Sequence, residues 1–171
     1  MQLLQDILYE VSIRSVTGNT ATAVGNVQID SRKVTPGSLF MAVKGVAVDG
    51  HQFIDTAIHQ GAVAVLCETM PAVVNPSVAY VQVDNSAKAA AVTAHNFFGR
   101  PSEKMKVVGV TGTNGKTTIV TLLYKLFTSL GYTCGMLSTV ENYIGSEVVP
   151  ATHTTPDTIS LNSMLKKMAD A

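Results

Sequence analysis

Lys106-Val107-Val108-Gly109-Val110-Thr111-Gly112-Thr113-Asn114-Gly115-Lys116-Thr117-Thr118-Ile119 is the stretch on which the reading of this chain turns. An apolar run, a glycine-rich turn and then Lys-Thr-Thr opening an apolar-periodic segment predict a buried strand, a tight loop and a helix. Glycine admits positive φ and close backbone approach, so several N–H groups can converge on one anion. The helix N-terminus adds its partial positive charge at the same point. Gly112, Thr113, Asn114, Gly115, Lys116, Thr117 and Thr118 are therefore the predicted binding residues for the phosphates of ATP. Lys116 is the expected catalytic cation, reaching the terminal phosphates, and the Thr117 hydroxyl the expected ligand to Mg2+. The competing reading is a glycine turn ahead of a helix that merely begins with lysine.

Downstream, Ile119, Leu122, Leu123, Leu126, Phe127 and Leu130 repeat as one helix face, and Gly131 ends it. Cys134 to Leu137 reads as the next strand, and Asn142 to Val149 is compatible with a hairpin around Gly145-Ser146. Thr155-Pro156-Asp157 predicts a last helix with Thr155 as its cap. Leu161, Met164, Leu165 and Met168 form the apolar stripe of that helix, and Lys166 and Lys167 its solvated face. A nucleotide-binding sheet normally has about five strands, and this half supplies two clear ones. The chain is therefore expected to stop inside its second domain.

Upstream, strands and helices also alternate, which predicts a mainly parallel sheet. Val27-Gln28-Ile29, Leu39 to Val43, Ala62 to Leu66 and Val78 to Val83 read as strands. Phe53, Ile54, Ala57 and Ile58 mark a helix that Gly61 stops, and Ser86 is the expected cap of an alanine-rich helix running to about Phe98. Gly99 to Lys104 interrupts both periodicities. The expected organisation is thus an α/β domain over 1–100, a linker over 101–104, and from 105–171 the first part of a P-loop-type parallel-sheet domain.

Composition narrows the function classes. Lys plus Arg and Asp plus Glu balance at 12 each, so no cationic footprint for nucleic acid is present. The N-terminus lacks the pattern of a signal peptide. The longest apolar run, Ala62 to Cys67, is far shorter than the roughly 20 residues of a membrane helix. A soluble cytoplasmic protein with no membrane association and no obligate protein partner is expected. Cys67 and Cys134 lie far apart with no metal-ligand spacing and read as packing residues. His51, His59 and His95 have no ligand-spaced partners in the sequence and read as surface or packing residues.

The glycine spacing discriminates further. A standard P-loop would place its first glycine at Val110, whereas glycines stand at Gly109 and Gly112. Gly109 to Thr118 resembles the ATP motif of the Mur ligase family, which also includes folylpolyglutamate synthases and part of cyanophycin synthetase. Two more segments strengthen the likeness. Ile29-Asp30-Ser31-Arg32, with Gly37 to Gly45 and Asp49-Gly50 behind it, resembles the UDP-substrate domain of MurE-type and MurF-type ligases. His153-Thr154-Thr155-Pro156-Asp157 resembles the MurE-type motif that binds the muramoyl-peptide substrate.

The resemblance implies that Ile29 and Ser31 contact the uridine end of a UDP-N-acetylmuramoyl dipeptide, with Val46 to Val48 a further nucleotide-contacting stretch. It implies that His153, Thr154 and Thr155 bind the muramoyl peptide. By itself, Asp30-Ser31-Arg32 reads as a solvated turn held by an Asp side chain. The implied activity is an ATP-dependent ligation in peptidoglycan synthesis, adding a diamino acid, meso-diaminopimelate or L-lysine, through an acyl phosphate. A magnesium-supporting carbamoylated lysine and an amino-acid-binding domain would then lie beyond Ala171, leaving this stretch inactive alone. A MurF-like or cyanophycin-synthetase-like ligase, and a non-catalytic binding protein of the same fold, are the alternatives.

Overall fold

Val27, Leu39, Val65 and Val81 lie at the centres of four neighbouring parallel strands in a computed structural model that describes residues 1–45, 48–150 and 156–171. The chain divides into two compact units, Met1–Phe97 and Phe98–Ala171.

The first unit runs β1 (Gln2–Leu3), α1 (Leu4–Ile7), β2 (Ile13–Thr17), β3 (Ala23–Val24), β4 (Asn26–Gln28), β5 (Ser38–Met41), α2 (Ile54–His59), β6 (Ala62–Cys67), β7 (Ala79–Val83) and α3 (Ser86–Phe97). Its main sheet has the order β2-β7-β6-β5-β4, with only β2 antiparallel. Parallel strands need cover on both faces, and alternate side chains supply it. Phe40, Val65, Cys67 and Tyr80 face Ile54 and Ala57 of α2 in one buried cluster. The intervening Leu39, Met41, Ala64, Leu66 and Val81 are buried as well; α3 packs against β6, and α1 against α3. This is the mainly parallel sheet expected for the first half.

Two local devices hold the connections. Gly61 ends α2 at φ +98, where a Cβ would stand 2.8 Å from the Pro36 Cα. Asn96, buried on α3, donates to the Ile7 and Tyr9 carbonyls at 3.1 and 2.5 Å, closing the end of α1. The start of α3 differs from expectation. Asn85 is the cap, its side chain accepting from the Lys88 amide at 2.8 Å. Ser86 is buried and bonded elsewhere, so it is unavailable as a cap.

The second unit holds α4 (Lys116–Ser129), β8 (Gly135–Met136), β9 (Glu141–Ile144), β10 (Glu147–Pro150) and α5 (Thr158–Asp170). Gly131 at φ +87 closes α4: its amide donates to Thr128 and that of Tyr132 to Phe127, and the two rings meet edge-on at 5.9 Å. The hairpin around Gly145-Ser146 forms, with Ile144 opposite Glu147.

Three expectations for this half are corrected. Residues 106–110 form no strand, and Val107 and Val108 are exposed. The sheet described here is antiparallel, in the order β10-β9-β8. It presents no parallel neighbour for 106–110, and a buried strand without flanking strands has nothing to pair with. For the same reason the apolar face of α4 is uncovered, with Leu122 61% and Leu126 52% exposed. Finally, Asp157 caps α5, its Oδ1 accepting from Ile159 and Ser160 at 2.9 Å; Thr155 lies outside the described residues. The 101–104 segment is a 3-10 turn, Pro101–Glu103, packed on α5 within this second unit.

Candidate functional site

Gly112 to Thr118 forms one exposed loop running into the first turn of α4. Gly112 at φ +150 and Gly115 at φ +79 hold backbone conformations that favour glycine. Gly115 is the N-cap and, lacking a side chain, satisfies none of the first-turn donors. The Lys116, Thr117 and Thr118 amides therefore have no intrahelical acceptor. Lys116 Nζ donates to the Gly112 and Thr113 carbonyls at 2.6 and 3.3 Å, which puts the ammonium across the same loop. The Thr117 hydroxyl makes no hydrogen bond among the described residues. One cation, three aimed amides and a free hydroxyl thus share one helix end.

The first unit carries the other predicted residues. All four parallel strands run the same way, so the segments leaving β4, β5, β6 and β7 emerge along one rim. Ligands bind at the carboxyl edge in open α/β sheets. Ile29 and Ser31 sit there, just after β4, Ile29 half-buried and Ser31 buried. Asp30 accepts from the Arg32 amide at 3.0 Å and pairs its guanidinium at 2.9 Å, so the Asp-held turn is formed. The Arg32 guanidinium holds the Asp30 carboxyl below its usual range.

The sequence reading missed a second group on this rim. His51 is not a lone packing residue. Its Nδ1 lies 2.6 Å from Asp49 Oδ1, and its Nε2 accepts from the Glu68 amide at 2.8 Å. Glu68 Oε1 accepts from the Ser86 amide at 2.8 Å and the Ser86 hydroxyl at 2.7 Å. The Ser86 Oγ in turn accepts from the Lys44 amide at 3.0 Å. The Ser86 amide and hydroxyl hold the Glu68 carboxyl below its usual value, and the His51 amide and ring do the same for Asp49. Asp49-Gly50-His51 was the local signal; the Glu68 partner, distant in sequence, left none.

Val46, His153, Thr154 and Thr155 lie outside the described residues. Cys67 and Cys134 are free thiols, Cys67 buried and its thiol pushed up to about 11 by that burial, Cys134 half-buried.

Comparison with known proteins decides the family. Residues 23–98 match the model described as Mur ligase family, catalytic domain, and residues 110–171 match the Mur ligase middle domain. The chain belongs to the Mur ligase family. Among its relatives, the UDP-N-acetylmuramoyl-L-alanyl-D-glutamate--2,6-diaminopimelate ligase of Cytophaga hutchinsonii is 54% identical over 98% of this chain and 35% of its own. The Bacteroides fragilis protein of the same name is 50% identical over 98% of this chain and 34% of its own. This Mur ligase chain thus spans about a third of the length of the curated relatives it matches. A solved structure of a ligase with that name covers 99% of this chain and 34% of its own, at TM-score 0.73 and 26% identity. MurF from Acinetobacter baumannii covers 84% of this chain and 27% of its own, at TM-score 0.53 and 19% identity, and so shares the fold.

Proposed function

We propose that this chain belongs to an ATP-dependent ligase that joins 2,6-diaminopimelate to UDP-N-acetylmuramoyl-L-alanyl-D-glutamate in peptidoglycan synthesis. In this reading 1–100 receive the UDP-muramoyl substrate, 101–104 connect, and 105–171 begin the ATP-binding domain. The whole enzyme acts in the cytoplasm, where both nucleotide substrates are made; among the described residues no helix is long and apolar enough to cross a membrane. The observation that carries the reading is the α4 helix end, where three amides without intrahelical acceptors and Lys116 converge.

A carboxylate resists attack by an amine because its charge repels the nucleophile and oxide leaves poorly. Passing the γ-phosphoryl group of ATP to the D-glutamyl carboxylate removes the charge and creates a leaving group. The diaminopimelate amine then displaces phosphate, giving an amide, ADP and phosphate. Positioning and charge neutralisation dominate the first step. The Gly112 to Thr118 amides and Lys116 bind and orient the phosphates. Mg2+ would supply further neutralisation of the phosphate charge. No group of three or more His, Cys, Asp or Glu gathers among the described residues. The Thr117 hydroxyl, free on the first turn of α4, fits an oxygen-seeking ion otherwise held by phosphates and water. Ile29 and Ser31 bind the uridine end, and His153, Thr154 and Thr155 the muramoyl peptide.

The test is phosphate release by the full-length protein. ADP and phosphate should appear one-to-one when ATP, Mg2+, the UDP-muramoyl dipeptide and diaminopimelate are all present. Silence with all four would refute the reading, and turnover only with a UDP-muramoyl tripeptide would point to a MurF-type ligase.

A further inference from the structure

His51 occupies a position in which only one of its three chemical forms fits. Asp49, a carboxylate held ionised by its bonds to His51, can only accept, so Nδ1, 2.6 Å away, carries hydrogen. The Glu68 amide can only donate, so Nε2, 2.8 Å away, presents a lone pair. The ring is therefore neutral with its hydrogen on Nδ1. Through it, the Asp49 foot of the segment between Met41 and Gly50 rests on the Glu68 backbone. The other foot, Lys44, rests on the Glu68 carboxylate by way of Ser86. The feet also meet each other in an antiparallel bridge, Lys44 opposite Asp49, with the Gly45 amide donating to Val48 at 3.0 Å. Four backbone or side-chain links thus hold Lys44, Gly45, Val48 and Asp49 just past β5, the strand next to the one that delivers Ile29 and Ser31.

We propose that His51 is a positioning residue for the UDP-muramoyl substrate: by bridging Asp49 to the Glu68 amide it pre-orders the β5 exit beside Ser31. This rests on the reading that the first unit's rim receives the UDP end. With the Asp49 anchor released, Asp49 and Val48 spend only part of their time in the receptive arrangement, and apparent affinity falls by that fraction. The ring need not touch the substrate for this to hold.

The experiment uses the full-length enzyme with UDP-N-acetylmuramoyl-L-alanyl-D-glutamate as the probe. His51→Phe keeps the ring's bulk and loses both bonds; its KM for the UDP substrate should rise about tenfold or more, with kcat at saturation and the KM for ATP within about twofold of wild type. His51→Gln, which can offer an acceptor where Nε2 stands, should recover most of the loss. Ring nitrogen shifts in the wild type should show the Nδ1–H form. An unchanged KM for the UDP substrate in folded His51→Phe, a rise shared equally by ATP, or a ring protonated on Nε2 would overturn the proposal. If His51→Phe does not fold, the Gln variant and the ring shifts decide. Selectively labelled Ser31, Lys44 and Glu68 amides separate the two ideas. If they ignore the UDP substrate in the wild type, the rim reading itself fails and takes this proposal with it. If they respond while His51→Phe binds as tightly as wild type, the role of His51 alone is refuted.

Discussion

Ser86→Ala puts a number on the rim network. The Ser86 side chain is fully buried and its hydroxyl works twice, donating to Glu68 Oε1 at 2.7 Å and accepting from the Lys44 amide at 3.0 Å. A hydrogen bond to a charged group is worth about 1.5–3 kcal/mol, and an amide left unpaired costs about 1 kcal/mol more where water reaches it in part. The expected loss is about 3 kcal/mol. With a urea slope of about 1.5 kcal/mol per M, the midpoint should fall by about 2 M. The ring signals of Tyr80, which is fully buried, report on this unit specifically. The acid side carries a second signature. The Glu68 carboxyl is held below its usual 4.5 when folded, so its contribution is complete above that value and disappears as pH falls through the lower, folded one. Ser86→Ala removes one cause of that depression and leaves the Ser86 amide bond, so the gap between the two proteins should narrow in acid. A midpoint shift under about 0.5 M at neutral pH, or a gap unchanged at about pH 3, would refute the reasoning.

Other expectations follow from single features. In the full-length enzyme, Lys116→Ala should lower ATP turnover about a hundredfold or more, some 3 kcal/mol of barrier, with unaltered thermal unfolding; wild-type turnover would remove Lys116 from the site. Gly61→Ala combines positive φ with a Cβ 2.8 Å from Pro36 Cα; a cost of about 3 kcal/mol should lower Tm by at least about 10 °C by calorimetry. The uncovered α4 face should make the 171-residue chain bind an apolar dye, and Leu122→Glu with Leu126→Glu should abolish most of that fluorescence while leaving the signals of Tyr80 in place.

Periodicity and turn chemistry made the first unit readable. Val27, Phe40, Val65 and Tyr80 stand in runs bounded by Gly and Pro, and Gly61 stops α2 where a left-handed residue was needed. Asp30 holding Arg32 is likewise a local event between near neighbours. The His51–Glu68–Ser86 connection was not readable, because bonds between residues 17 or 18 positions apart leave no local pattern. Ser86 reads as a helix cap by type, yet Asn85 is the cap because the Ser86 hydroxyl is engaged by Glu68 and Lys44. In the second unit, helix α4 and its Schellman ending were legible from the apolar face and Gly131. Val107 and Val108 show the reverse limit. Their composition is that of a buried strand, but burial depends on neighbours that the run itself does not encode.

One engineering consequence follows from Glu68 bearing both ends of the β5 exit. The two supports respond differently to substitution: His51 takes the backbone amide, which nearly any residue at 68 supplies, whereas Ser86 takes the carboxylate. Glu68→Ala would therefore release Ser86 and, through it, the Lys44 end, while the Asp49 end keeps its His51 support. One residue thus carries a support that tolerates substitution and one that does not.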